Sequence, residues 1–174
     1  MKDPMNKKIG ISAVLIFFSL MSAMIGSAEV QSAEKWTHIC TDPKLPQTCR
    51  IEQKLFVNQG GEGQKKQMGQ ILNVAVLYSG INDRKPYIVM QLPLGVDLRA
   101  GMVLKVDDAK EMKAPFLKCT KAGCEIQSVL TDDLLAQLKR GNFMKVGFRA
   151  FGAKKTMVVN ADLSGFTKAF SKLF

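Results

Sequence analysis

Residues Met90 to Gly141 read MQLPLGVDLRAGMVLKVDDAKEMKAPFLKCTKAGCEIQSVLTDDLLAQLKRG, and the division of this stretch decides the fold class. An apolar run stops at Pro93, because proline has no N–H to donate to a strand ladder. A turn-rich connection follows, then a second run, Met102 to Val106. A charged turn at Asp107-Asp108 leads into a third run ending at Cys119. Lys121-Ala122-Gly123 reads as a reversal, after which Cys124 to Leu130 runs back. Cys119 and Cys124 therefore fall on neighbouring strands at the neck of one hairpin. The stretch closes with a short helix, Thr131 to Arg140. Thr131 can cap it, Asp132 and Asp133 occupy the first turn where the dipole favours acids, and Lys139 and Arg140 precede Gly141. Leu134, Leu135 and Leu138 supply its buried stripe.

Working outward, the same alternation continues on both sides. Lys35 to Cys40 predicts a first strand with Trp36 and His38 on one face, and Pro43 and Pro46 force a loop before Cys49. Thr48 to Val57 predicts a second strand. Asn58 to Gly69, with four glycines, reads as an exposed connection. Gly69 to Tyr78 is apolar on both faces, as in a strand buried on two sides. Gly80 to Lys85 turns, and Pro86 to Leu92 returns. Downstream, Phe143 to Phe151 and Thr156 to Asn160 form a hairpin around Gly152-Ala153-Lys154-Lys155. Phe166, Ala169, Phe170, Leu173 and Phe174 recur at helical spacing in a tail, Ser164 to Phe174, that should dock on a sheet. The sum is an all-β chain: an antiparallel β-sandwich of about 8–9 strands with two short helices.

The chain has 174 residues, enough for one domain with a sizeable core. Lys2, Lys7 and Lys8 precede an apolar run from Ile9 to Ile25, and Gly26-Ser27-Ala28 supplies the small residues of a signal-peptidase site. Residues 1–28 are thus expected to be a signal peptide, leaving 29–174 as the single sandwich domain with no membrane span. A retained anchor is the competing reading, since the run sits at the lower edge of a spanning length. Without Lys2, Lys7, Lys8 and Asp3, 22 basic and 14 acidic residues remain, a net of +8. Export permits disulfides, and Cys40, Cys49, Cys119 and Cys124 all lie in the mature part. Four cysteines allow three connectivities, of which local pairing, Cys40 with Cys49 and Cys119 with Cys124, is the simplest. Loops that small are worth about 2 to 3 kcal/mol each by chain entropy. A four-thiolate zinc site, the competing arrangement, lacks the short CxxC spacing.

Catalytic motifs are not what this sequence offers. Its one histidine, His38, stands two residues from Cys40, where it reads as structural or surface. No GxSxG, HExxH or paired CxxC occurs. Gly60-Gly61-Glu62-Gly63 lacks phosphate-loop spacing, Asp107-Asp108 reads as a turn, and Asp132-Asp133 as a helix start. No catalytic, cofactor-binding or metal-binding residue is assigned, and the expectation is a protein that is not an enzyme and takes no cofactor. The basic residues, among them Lys65-Lys66, Lys110, Lys113, Lys118, Lys121, Lys139-Arg140, Lys154-Lys155, Lys168 and Lys172, are dispersed. They form no aromatic-interleaved stripe, so specific nucleic-acid binding is not expected. Anionic envelope or host-surface glycans are the partners such an exported cation would meet.

Taken in order, these features resemble the invasion-associated locus B family of Gram-negative bacteria. The matching residues are Trp36 before Cys40 and Cys49, the phrase Leu92-Pro93-Leu94-Gly95-Val96-Asp97-Leu98 with Gly101, Pro115-Phe116-Leu117-Lys118-Cys119, and Gly123-Cys124. The leucine helix ending at Gly141, Val146-Gly147-Phe148 and Leu163-Ser164-Gly165-Phe166 continue the match. The resemblance covers nearly all of the mature chain. It implies a periplasmic β-sandwich, outer-membrane-associated or secreted, connected with host-cell invasion or colonisation, and it carries over no catalytic residue. A non-enzymatic envelope protein acting by binding through an exposed surface is the leading expectation. A periplasmic chaperone or envelope-stress factor is the alternative, and an unrecognised hydrolase a more remote one.

Overall fold

The computed structural model of the chain describes residues 35–59, 67–78 and 85–173. Among these, ten strands form two antiparallel sheets, and two short helices lie in the C-terminal part. The strands are β1 (Thr37–Cys40), β2 (Cys49–Gln59), β3 (Gln67–Tyr78), β4 (Pro86–Leu92), β5 (Met102–Val106), β6 (Met112–Ala114), β7 (Lys118–Thr120), β8 (Gly123–Val129), β9 (Phe143–Phe148) and β10 (Met157–Asp162). The helices are α1 (Asp132–Arg140) and α2 (Phe166–Phe170). The larger sheet runs β1-β2-β3-β4-β8-β7 and the smaller β10-β9-β5-β6.

Period-two alternation builds both inner faces. Ile51, Leu72, Val74, Val76, Ile88, Met90, Leu92 and Ile126 come from the large sheet, and Met102, Leu104, Val106, Met144, Val146 and Phe148 from the small one, all in one buried cluster. The end of that cluster is sealed by the helices. Thr131 caps α1, its hydroxyl accepting from the Leu134 N–H at 3.3 Å, and Leu134 and Leu138 are buried. Phe166 is fully buried and meets Trp36 edge-on, with ring centroids 5.0 Å apart.

The sandwich has two unlike sides. On one, the segment Met112–Thr120 supplies the outer strand of each sheet in turn: β6 ends the small sheet and β7 the large one. The other side is flanked by β1 and β10, far apart in sequence. There the sheets are joined at Asp162, whose backbone oxygen accepts from Trp36 Nε1 at 2.9 Å and Gln53 Nε2 at 3.0 Å.

Several expectations are corrected. The single run into Cys119 is two strands in different sheets, β6 and β7, because Pro115 cannot donate and the chain crosses over there. Among the described residues the strands accordingly number ten, against the expected about 8–9. Lys35 and Trp36 leave the first ladder to reach Asp162, so β1 starts at Thr37. Strand β2 continues to Gln59 and β3 begins at Gln67, so the expected Asn58–Gly69 connection is shortened from both ends. Strand β9 stops at Phe148, and Ala150 bridges singly to Val96. Strand β10 runs Met157–Asp162, two residues beyond the expected Asn160. The tail helix is shorter than expected: α2 spans Phe166–Phe170 and a 3-10 turn, Ser171–Leu173, completes the buried stripe. Gly141 ends α1 with φ −74°, so handedness is not why it is glycine. A Cβ there would stand 2.5 Å from Val106 Cγ1, so close approach is the reason. The expected signal peptide, Gly60-Gly61-Glu62-Gly63, Lys65-Lys66, most of the Gly80–Lys85 turn and Phe174 lie outside the described residues.

Candidate functional site

Both disulfides are formed in the local pairing. Cys40–Cys49 and Cys119–Cys124 each join directly opposed residues on adjacent antiparallel strands. Each ties an outer strand of the large sheet to its neighbour: β1 to β2 and β7 to β8. One cysteine of each pair is buried (Cys49 and Cys124), while Cys119 is exposed and Cys40 half-buried. Formed bridges accord with an extracytoplasmic location.

His38 Nε2 lies 3.7 Å from Cys40 Sγ, and His38, Cys40 and Cys49 have the clustering of a metal site. The two sulfurs are bonded to each other, and a metal needs thiolates. Several other residues singled out from sequence have structural posts. Asp107, at φ 44°, accepts from the backbone N–H groups of Asn142 and Phe143 at 2.9 Å each, and these bonds hold its carboxyl below the usual range. Asp132 and Asp133 open α1. Lys118 pairs with Glu125 at 3.0 Å, and Lys139 lies over the Phe170 ring at 4.9 Å.

The open side of the sandwich holds a cleft of about 590 Å³. It is lined by Lys35, Thr37, Ile39, Glu52, Gln53, Lys54, Leu55, Asn160 and Asp162. It exists because β1 pairs with β2 only as far as Glu52, so that among the described residues no strand covers β2 from Gln53 onward on that side. Glu52 is buried between two cations, with Arg50 Nε at 2.9 Å and Lys54 Nζ at 3.0 Å. Burial opposes its charge, but Arg50 and Lys54 outweigh that and keep the carboxyl below its ordinary range. Asp162 repeats the arrangement: burial raises its pKa, while Lys35 and Ser164 more than compensate and lower it. Gln53 is 6% exposed, and its Oε1 has no hydrogen-bond partner among the described residues. The wall of the cleft therefore holds a buried amide oxygen without a partner among the described residues, flanked by two ion pairs.

Sequence reading did not single out these residues as a site. One signal was present: Gln53 interrupts the inward series Ile51-Gln53-Leu55, and a buried amide in an apolar alternation marks a special position. The pairing of Lys35 with Asp162, 127 residues apart, had no local signature.

The family model described as "Invasion associated locus B (IalB) protein" matches residues 36–173. An invasion protein B homolog of Brucella abortus strain 2308 is 26% identical over 173 residues, covering 96% of this chain and 95% of the relative. The homolog from Brucella abortus biovar 1 strain 9-941 matches with the same figures. The crystal structure of invasion associated protein B from Bartonella henselae matches with a TM-score of 0.59 at 20% identity, covering 80% of this chain and 91% of that one, which shows a shared fold.

Proposed function

This chain belongs to the invasion associated locus B family, and on that premise we propose a cell-envelope protein that supports host-cell invasion or colonisation by binding, not by catalysis. In this reading the chain is exported after cleavage behind Ala28 and works in the periplasm or at the outer membrane. Its partners are anionic glycans of the envelope or host surface. The observation that carries the reading is the cleft beside β1 and β10. Its two carboxylates are held ionised by neighbouring cations. A general acid or base needs a pKa near the working pH, and these are moved away from neutrality. Fixed ion pairs, beside a glutamine held by Asp162 O, suit recognition.

The test is direct. Purified protein should bind host-cell surface preparations at physiological salt, and Lys54→Glu with Gln53→Leu should weaken that binding. A clean deletion should reduce invasion. Absence of binding together with unchanged invasion overturns the reading.

A specific observation favours the chaperone reading as second. The uncovered edge of β2 carries exposed Phe56 and Val57, and such an edge can accept an extended segment of another chain. Photo-cross-linking from position 56 to unfolded envelope proteins would support it.

A further inference from the structure

The end of the sandwich formed by residues 93–101 and 149–156 carries the large apolar side chains Leu94 (60% exposed), Leu98 (51%) and Phe151 (73%). They are not on a floppy loop. Asp97 N–H donates to Arg149 O at 2.8 Å, Phe151 N–H donates to Gly95 O at 2.7 Å, and Val96 bridges to Ala150. The Asp97 carboxylate is buried and takes Arg149 Nη2 at 2.8 Å and the Arg99 N–H at 3.1 Å. The fold thus spends a buried ion pair on fixing two loops whose apolar side chains face solvent.

Charge tells what they meet. Within these two segments the basic residues are Arg99, Arg149, Lys154 and Lys155 and the only acid is Asp97, a net of +3. That one acid is covered by Arg149, so the exposed charge is cationic. Protein interfaces are depleted in lysine at their centres, whereas segments that rest on bilayers combine protruding apolar residues with Lys and Arg. Gly123 lies against Leu92, and the Lys121-Ala122 turn adds a further cation at the same end of β4.

We propose that this tip is a membrane-surface contact: Leu94, Leu98 and Phe151 enter the headgroup region of an anionic bilayer while Arg99, Lys154 and Lys155 engage lipid phosphates. The inference goes beyond the binding function above and concerns a different surface, at residues that do not line the cleft.

The experiment is co-sedimentation of the full chain with phosphatidylcholine vesicles, with and without phosphatidylglycerol. All variants carry the same N-terminus, so any contribution from the Ile9–Ile25 run is common to them. Binding to the anionic vesicles is expected. Lys154→Gln with Lys155→Gln should weaken it about 30-fold, the effect of two cations at an anionic surface. Leu94→Ser with Phe151→Ser should weaken it about tenfold or more. A local readout is Phe151→Trp, whose emission should shift to the blue on adding anionic vesicles, against the single buried Trp36 as background. Unchanged emission and unchanged partition of the serine variant would overturn the proposal, as would an equal blue shift of Phe151→Trp with neutral vesicles. Capture of a protein through the tip without vesicle binding would overturn it too, making the tip a protein interface. Lost binding in the serine variant without a blue shift in Phe151→Trp would assign the loss to misfolding and also reject the contact.

Discussion

The two sides of this sandwich solve one problem in opposite ways. On the closed side a single nine-residue segment, Met112–Thr120, provides the outer strand of both sheets, so covalent continuity holds the sheets together. On the open side β1 and β10 come from opposite ends of the fold, and the junction depends on side chains gathered at Asp162. On the closed side the chain itself passes from one sheet to the other between β6 and β7. The open side has a cleft because hydrogen bonds at one point do not close a whole edge. The cleft here is a by-product of how the sheets are joined.

That contrast can be broken, and the largest effect is expected at Trp36. It is buried, packs on Phe166 and donates to Asp162 O, so Trp36→Ala should cost about 3–5 kcal/mol and lower the melting temperature on the order of 10 °C. Among the described residues, the closed-side edge strands β6 and β7 carry no buried side chain. Next come the sulfur pairs. Replacing Cys40 and Cys49, or Cys119 and Cys124, by serine should each cost about 2–3 kcal/mol. Hydrogen exchange should separate them: β1 keeps partial protection through Trp36 and Lys35, whereas β7, exposed at all three residues, loses its protection entirely. Equal loss at both strands would erase the distinction between the sides.

A closed-side counterpart is Gly123→Ala. At φ 134° a Cβ would stand 2.2 Å from Leu92 O, so a loss of about 2 kcal/mol is expected in denaturant melts. The smallest effect is electrostatic. Asp162→Asn should cost about 1 kcal/mol and should flatten the acid limb of the stability profile. The sign follows from lowered carboxyl pKa values at Asp162 and Glu52. Their stabilisation is complete above the ordinary carboxyl value near 4 and is lost as pH falls through the lower folded values. Thermal melts between pH 7 and pH 2 should show the open side loosening first, by exchange at β1 and β10.

Much of this architecture was legible because it rests on local rules. Alternation located the strands, Thr131 and the paired aspartates located α1, and the cysteine spacing pointed to hairpin necks. The misses share one cause. Pro115 marks a break in the ladder, but no local rule says that the chain changes sheet there. Lys35, Gln53 and Asp162 meet across more than a hundred residues, and their meeting defines the cleft. Proton-transfer groups carry recognisable motifs, whereas a slot between two sheet edges is written only in the third dimension. The exposed Leu94 and Phe151 were equally silent, since an apolar residue in a sequence reads as core until its neighbours are known.

Each sulfur bridge ties an outermost strand of the larger sheet to its inner neighbour, and both of those outermost strands are very short. Once cut, a three- or four-residue ladder is all that screens the longer strand behind it, and a bared strand edge recruits other chains. Thiol reductant in a preparation should therefore show itself first as turbidity, before any loss of folded signal. The covalent hems of this sheet guard its colloidal behaviour as much as its shape.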